Sequence, residues 1–156
     1  MKKYFLIVFL PLFFTISCGF KIVNQSEISN FDISEINTSG DKRIAYKIKN
    51  RLILNANKNA KNLLSIDLQV NKIRSVKEKN IKNEITKYQI NISAEIVLKD
   101  VVNNKSSKFK VSEIGDYKVS SQNLQTLNNE KKLITLMVDN LIDKLLIDIK
   151  LKINDL

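Results

Sequence analysis

The sequence predicts an α+β domain: a four-stranded, mainly antiparallel sheet packed on one face by two helices, in the order β-α-β-β-β-α. Three observations carry this. Two long runs alternate apolar and polar residues with a period of two. Two other stretches repeat their apolar residues every three or four positions. Turn-rich segments separate the runs, so the elements fall in one order. A sheet with one apolar face needs a covering layer, and amphipathic helices supply it.

Phe31-Asp32-Ile33-Ser34 alternates apolar and polar residues and reads as a short opening strand. Asn37-Thr38-Ser39-Gly40-Asp41 has turn composition, and Asp41 can cap a helix start by accepting from free backbone N–H groups. From Lys42 to about Asn57 the period changes. Ile44, Ala45, Ile48, Leu52 and Ala56 fall on one stripe, with Lys42, Arg43, Lys47, Lys49 and Arg51 on the rest, which is the pattern of a surface helix.

Next come the two alternating runs. In the first, Leu64, Ile66, Leu68 and Val70 share a face opposite Ser65, Asp67, Gln69 and Asn71. In the second, Tyr88, Ile90, Ile92, Ala94, Ile96 and Leu98 oppose Gln89, Asn91, Ser93 and Glu95. Such alternation buries one face and leaves the other to solvent. The basic stretch 72–80 forms the far end of a long hairpin, and 100–107 is a second turn. Lys108 to Tyr117 is a further strand. Phe109 and Val111 set its apolar face and Ile114 falls out of phase, so a bulge near Glu113, eased by Gly115, is expected. The last element is a helix from about Leu124 to Lys152, with a stripe that includes Leu133, Met137, Leu141, Leu145 and Ile149. The opening strand–helix–strand crossover makes the first two strands parallel if they are neighbours.

The start of the chain has a different character. Met1-Lys2-Lys3 is positive, and Tyr4 to Ile16 carries no charge. This fits a signal-peptide apolar region and is too short for a spanning helix, which needs roughly 20 residues. The segment Thr15-Ile16-Ser17-Cys18-Gly19 resembles the lipobox of bacterial lipoproteins, with Thr15 where that pattern prefers Leu. In that pattern the cysteine becomes the first mature residue and its sulfur accepts a diacylglyceryl group. Acylation of the new amino terminus adds another chain. Each buried methylene is worth about 0.8 kcal/mol, so a multiply acylated end is a stable anchor where a single chain is not. The expected organisation is a signal peptide over 1–17, a lipidated tether over 18–30 and one domain over 31–156. Gly19, in place of the Asp that marks inner-membrane retention, is compatible with the outer membrane.

Composition narrows the chemistry. His is absent and Cys18 is the one cysteine, which removes Ser-His-Asp and Cys-His triads, common zinc sites and an internal disulfide. Gly19, Gly40 and Gly115 cannot assemble a phosphate-binding loop. No cofactor or metal is expected beyond the covalent lipid. The formal charge is +10, of which Lys2 and Lys3 leave with the signal peptide. With no Arg-rich run and no interleaving of aromatic and basic residues, nucleic acid is not an expected partner.

The chain resembles the LptE family, small lipoproteins of the lipopolysaccharide-assembly machinery. The resembling features are Cys18-Gly19-Phe20, the short strand and basic helix, the strand opening Tyr88-Gln89-Ile90-Asn91-Ile92, the Asp100-Val101 turn, the Lys-rich last strand and the C-terminal amphipathic helix. The resemblance implies an outer-membrane lipoprotein on the periplasmic side with no catalytic activity. It would plug and help assemble the LptD β-barrel and bind lipopolysaccharide during delivery to the outer leaflet. A barrel too wide to be filled by its own side chains needs such a plug. Lipopolysaccharide is acidic, and the cations expected to contact it are Lys72, Arg74, Lys77 and Lys79 at the hairpin end and Lys118 after the last strand.

Two other readings share parts of the pattern. One is an outer-membrane scaffold or adaptor without a glycolipid ligand. The other is a small periplasmic hydrolase using two of Glu95, Glu113 and Asp116, although exposure on a strand explains each of these residues equally well.

Overall fold

The structure, a computed structural model, describes residues 30–153. The expected signal peptide, Cys18 and the expected tether up to residue 29 lie outside the described residues. Strands β1 (Phe31–Gly40), β2 (Asn62–Lys79), β3 (Ile85–Asp100) and β4 (Ser106–Lys118) form one sheet in the order β1-β2-β3-β4. β1 and β2 are parallel, and the other two pairings are antiparallel. Helix α1 (Lys42–Asn55) is the crossover between the parallel strands, and α2 (Asn123–Ile153) closes the chain. The expected α+β fold and element order are therefore present. Both helices lie on one face, α1 over β1 and β2 and α2 mainly over β4, and they touch each other.

The alternating runs explain the core. Leu64, Ile66, Leu68 and Val70 of β2 lie beside Ile90, Ile92, Ala94, Ile96 and Leu98 of β3, all nearly free of solvent. Ile44, Ile48 and Leu52 of α1 and Val138, Leu141, Leu145 and Ile149 of α2 cover them. Burying one such large side chain is worth about 1.5–3 kcal/mol, whereas an exposed ion pair gives at most about 1 kcal/mol. The helix–sheet interface therefore dominates stability.

Four local readings differ from expectation. β1 does not stop at Ser34 but runs to Gly40. The register shifts between Ile33 and Glu35, so the inward residues are Phe31 and Ile33 before the irregularity and Ile36 after it. Ser34 Oγ donates to the Leu64 carbonyl at 3.0 Å and stabilises the extra residue. A strict period of two cannot be followed through such a slip.

The turn before α1 is correspondingly short. Gly40 has φ 87°, and a Cβ there would lie 1.9 Å from the Val70 carbonyl oxygen. Asp41 then caps α1 as expected, its carboxylate accepting from the N–H groups of Arg43 and Ile44 at 3.1 Å each. In the third departure, the expected bulge in β4 is replaced by an unbroken β3–β4 register from Lys87↔Lys118 to Lys99↔Ser106. Ile114 is out of phase because it faces away from the helices, and Gly115 sits where Leu133 and Met137 of α2 press close.

The stretch 72–79, expected as part of the hairpin end, continues β2 with a register irregularity at Val76/Glu78. The tip is tighter and lies at Asn80–Glu84, where Asn80 Oδ1 accepts from the N–H groups of Lys82 and Glu84 at 2.9 Å.

Candidate functional site

Period two places every second strand residue on the sheet face opposite the helices, and no described element covers that face. Its charges neutralise one another across strands. Lys99 of β3 lies 2.7 Å from Asp67 of β2, and Lys87 of β3 lies 2.8 Å from Glu78. Lys108 pairs with Glu95, and Lys77 pairs with Asp116. Asn37 Nδ2 donates to Asp67 and Gln89 Nε2 to Asp116, each at 3.1 Å. These contacts have the expected electrostatic effect. Bonding to Lys99, then Asn37, holds the Asp67 carboxyl below its ordinary range; Lys108 does so for Glu95 and Lys77 for Asp116. Exposed pairs of this kind are worth about 0–1 kcal/mol each. Their main result is a broad, polar, nearly neutral surface.

One row on this face is different. Asn91 of β3 is paired with Ile73 of β2 on one side and Ile114 of β4 on the other. The two isoleucines are 63 % and 61 % exposed. Between them, the Oδ1 atom of Asn91 is buried and has no hydrogen-bond donor. An unsatisfied buried acceptor costs about 1–3 kcal/mol, so the row is a local defect in the free protein. By sequence, Asn91 is a solvated strand residue and Ile114 belongs to a bulge. The signal that could have found the row was the phase of Ile114 taken at face value.

The five cations expected to contact lipopolysaccharide do not form one cluster. Lys72 and Arg74 point to the helix side of β2. Lys72 lies 3.6 Å from Asp41 at the start of α1. Arg74 packs 4.8 Å from the centre of the Tyr88 ring and reaches Tyr117 Oη at 3.5 Å and Glu130 of α2 at 3.4 Å. Tyr88 and Tyr117 stack at 5.6 Å, and the Tyr117 hydroxyl donates to Glu130 at 2.9 Å. Burial, then the bond to Glu130, pushes the Tyr117 hydroxyl pKa up, while bonding to Tyr117 raises that of Arg74. Lys77 lies on the opposite face with Asp116, Lys79 reaches Asn83 at the hairpin tip at 3.0 Å, and Lys118 is exposed at the end of β4.

The carboxylates considered for hydrolysis are likewise apart. Glu95 and Asp116 are engaged on the open face, whereas Glu113 lies on the helix side and pairs with Lys144 of α2. Among the described residues there is no group of three or more side chains suited to a metal ion, and no described helix is long and apolar enough to cross a membrane.

No family model and no curated relative matches the chain in sequence. Solved structures do match in fold. Rare lipoprotein B from Shewanella oneidensis superposes with a TM-score of 0.60 at 18 % identity, covering 77 % of this chain and 97 % of that one. Lipoprotein B from Nitrosomonas europaea gives 0.53 at 12 % identity, over 82 % and 88 %. A minor lipoprotein from Acinetobacter baumannii gives 0.50 at 12 % identity, over 76 % and 93 %. At these identities the likeness is one of fold: the chain has the architecture of these lipoproteins.

Proposed function

We propose that this chain is an outer-membrane lipoprotein, held on the periplasmic side by lipid on Cys18, which plugs and helps assemble an LptD-like β-barrel and binds lipopolysaccharide on its way to the outer leaflet. The apolar leader ending at Cys18 and the fold shared with rare lipoprotein B support the lipoprotein part. The observation that carries the plug is the open sheet face. That face combines cross-matched charge on β2, β3 and β4 with a desolvated acceptor, the Oδ1 of Asn91, between two exposed isoleucines. A barrel lumen is polar, and a sheet face turned toward its wall matches it with hydrogen-bonding groups and mutually paired charges. Rows of paired lysines and carboxylates supply these, and Ile73 and Ile114 add apolar contacts at the centre. Chemistry on substrate has no place in this reading: the carboxylates are spread over both faces, and the part played is binding and assembly.

The test is affinity purification of the full lipidated protein from solubilised outer membrane. One large β-barrel protein at one-to-one stoichiometry, with bound lipopolysaccharide, is the expected result. Recovery of soluble periplasmic proteins without a barrel would replace the plug with an adaptor. An unmodified Cys18 in the mature protein, read by mass spectrometry, would remove the anchor.

A further inference from the structure

Cations from three separate elements converge where α1 meets α2. Arg43 and Lys47 come from the first half of α1, Lys72 from β2 and Lys131 from α2. They surround a cleft of about 350 Å³ whose floor is Ile44, Ile134 and Val138. Ile44 is 4 % exposed and Val138 fully buried, so the apolar side chain of the floor that a ligand can reach is the half-buried Ile134. The acid lining the cleft is Asp41, and it is already engaged. It caps the N–H groups of Arg43 and Ile44 and lies 3.6 Å from Lys72.

Arg43, Lys47 and Lys131 have no ion-pair partner among the described residues. The open sheet face is the opposite case, with Lys77, Lys87, Lys99 and Lys108 each matched to a carboxylate. The excess positive charge of the domain is thus concentrated on the helix side. α1 alone carries five cations and no acid. Like charges gathered over an apolar floor repel one another, and an anion placed among them relieves the repulsion. The combination selects a ligand with an anionic head and an apolar continuation.

We propose that this cleft is a binding site for a phosphate group of a lipid headgroup. Arg43, Lys47 and Lys131 donate to the phosphate oxygens, and the first methylenes of the lipid lie along Ile134 and the methylene stems of the cations. Small-ligand pockets span roughly 300–1,000 Å³, so the cleft accommodates a phosphorylated headgroup and the start of a chain, and not a whole glycolipid. The assignment gives the lipopolysaccharide-binding part of the proposed function a location and rests on that part. Phospholipids offer the same phosphate chemistry, and the test separates the two sources.

The full lipidated protein in a non-ionic detergent is titrated calorimetrically with three probes: a bisphosphorylated disaccharide glycolipid of the lipid A type, its dephosphorylated counterpart, and phosphatidylglycerol. The R43Q/K47Q/K131Q variant is titrated alongside. These side chains are exposed, so the variant is expected to keep the native melting temperature and to co-purify with the same barrel. Lys47→Arg with Lys131→Arg keeps the charges and serves as a second, conservative variant. The expected result is at least about tenfold weaker binding of the bisphosphorylated glycolipid by the neutral variant, and near-native binding by the conservative one. The dephosphorylated glycolipid should bind the native protein no better than the bisphosphorylated one binds the neutral variant. Equal affinity of native and neutral proteins for the bisphosphorylated glycolipid would overturn the site, as would native protein that binds none of the probes. Binding of phosphatidylglycerol but not glycolipid, lost in the neutral variant, would uphold the cleft as a phosphate site and remove lipopolysaccharide from the proposed function. The barrel result would stand untouched.

Discussion

The guanidinium of Arg74 lies 4.8 Å from the centre of the Tyr88 ring, and this placement ties β2 and β3 to β4 and α2. The same group reaches Tyr117 and Glu130, and Tyr117 stacks on Tyr88. Four elements meet in one cluster at the end of the sheet where the aliphatic core runs out. Arg74 therefore has a structural task, whatever else it contacts.

Arg74→Glu is expected to lower the melting temperature by several degrees. It removes a cation–π contact of about 0.5–1 kcal/mol and places a second carboxylate beside Glu130, which costs a similar amount. Tyr117→Phe should cost about 1 kcal/mol, because Glu130 loses a part-buried donor. Lys77→Glu, which meets Asp116 on the open face, should change stability less. Thermal unfolding followed by circular dichroism measures all three. An Arg74→Glu protein that melts with the native one would show that the cluster holds nothing. Lipopolysaccharide binding by Arg74 variants has to be judged against this loss.

The two described glycines should respond very differently to alanine. At Gly40 the added methyl meets the Val70 carbonyl oxygen at 1.9 Å, and the φ of 87° disfavours any side chain. Backbone cannot yield there, so Gly40→Ala should destabilise by about 2–4 kcal/mol. At Gly115 the methyl meets Leu133 Cδ1 at 2.8 Å and Met137 Sδ at 3.1 Å, which are the ends of flexible side chains. Gly115→Ala should stay within about 1.5 kcal/mol of the native protein. Urea unfolding of the pair decides this, and equal losses would contradict the geometry.

These two positions also mark what the sequence could reveal. Long stretches of one period were legible: the faces of β2 and β3, both helix stripes and the Asp41 cap follow from local residue order alone. Phase slips were not. One slip in β1 arises from an extra residue at Ser34, whose hydroxyl satisfies a carbonyl on the neighbouring strand, and that partner lies 30 positions away. In β4 the apparent slip is an isoleucine facing outward, and only the tertiary placement of α2 against Gly115 shows it. The candidate sites were hidden for the same reason. Lys131 and Arg43 are far apart in sequence, and the Ile73–Asn91–Ile114 row exists only once three strands are in register.

Stability should be flat between about pH 5 and 9 and fall on either side. On the acid side, Asp67, Glu95 and Asp116 are held low by their lysine partners. Asp100 is held low chiefly by the Asn103 N–H and side chain. A depressed carboxyl contributes fully above its unfolded value, which is near 3.8 for Asp, and the contribution is lost as pH falls through the folded value. On the alkaline side, the raised values of Tyr117, Lys87 and Lys99 contribute below about pH 10 and fade as pH rises further. Urea midpoints across pH measure both limbs. Asp100→Ala should make the acid limb shallower, and an unchanged slope would exclude Asp100 from it.

Asn91→Val separates stability from docking. The side chain sits between two exposed isoleucines, and its Oδ1 has no donor in the free protein. Valine suits a central strand, has no polar atom to desolvate and continues the apolar row. The isolated variant should therefore be more stable than the native protein, by up to about 1 kcal/mol. If the row is the contact point for a barrel segment that supplies a donor to Asn91, the same variant should recover less barrel in affinity purification. Stability and recovery then move in opposite directions, which a simple packing role does not produce. Ile73→Ser with Ile114→Ser should reduce recovery too, with little change in melting temperature because both side chains are exposed. A more stable Asn91→Val protein that recovers a full share of barrel would leave the open face as an interface but move its anchor away from this row.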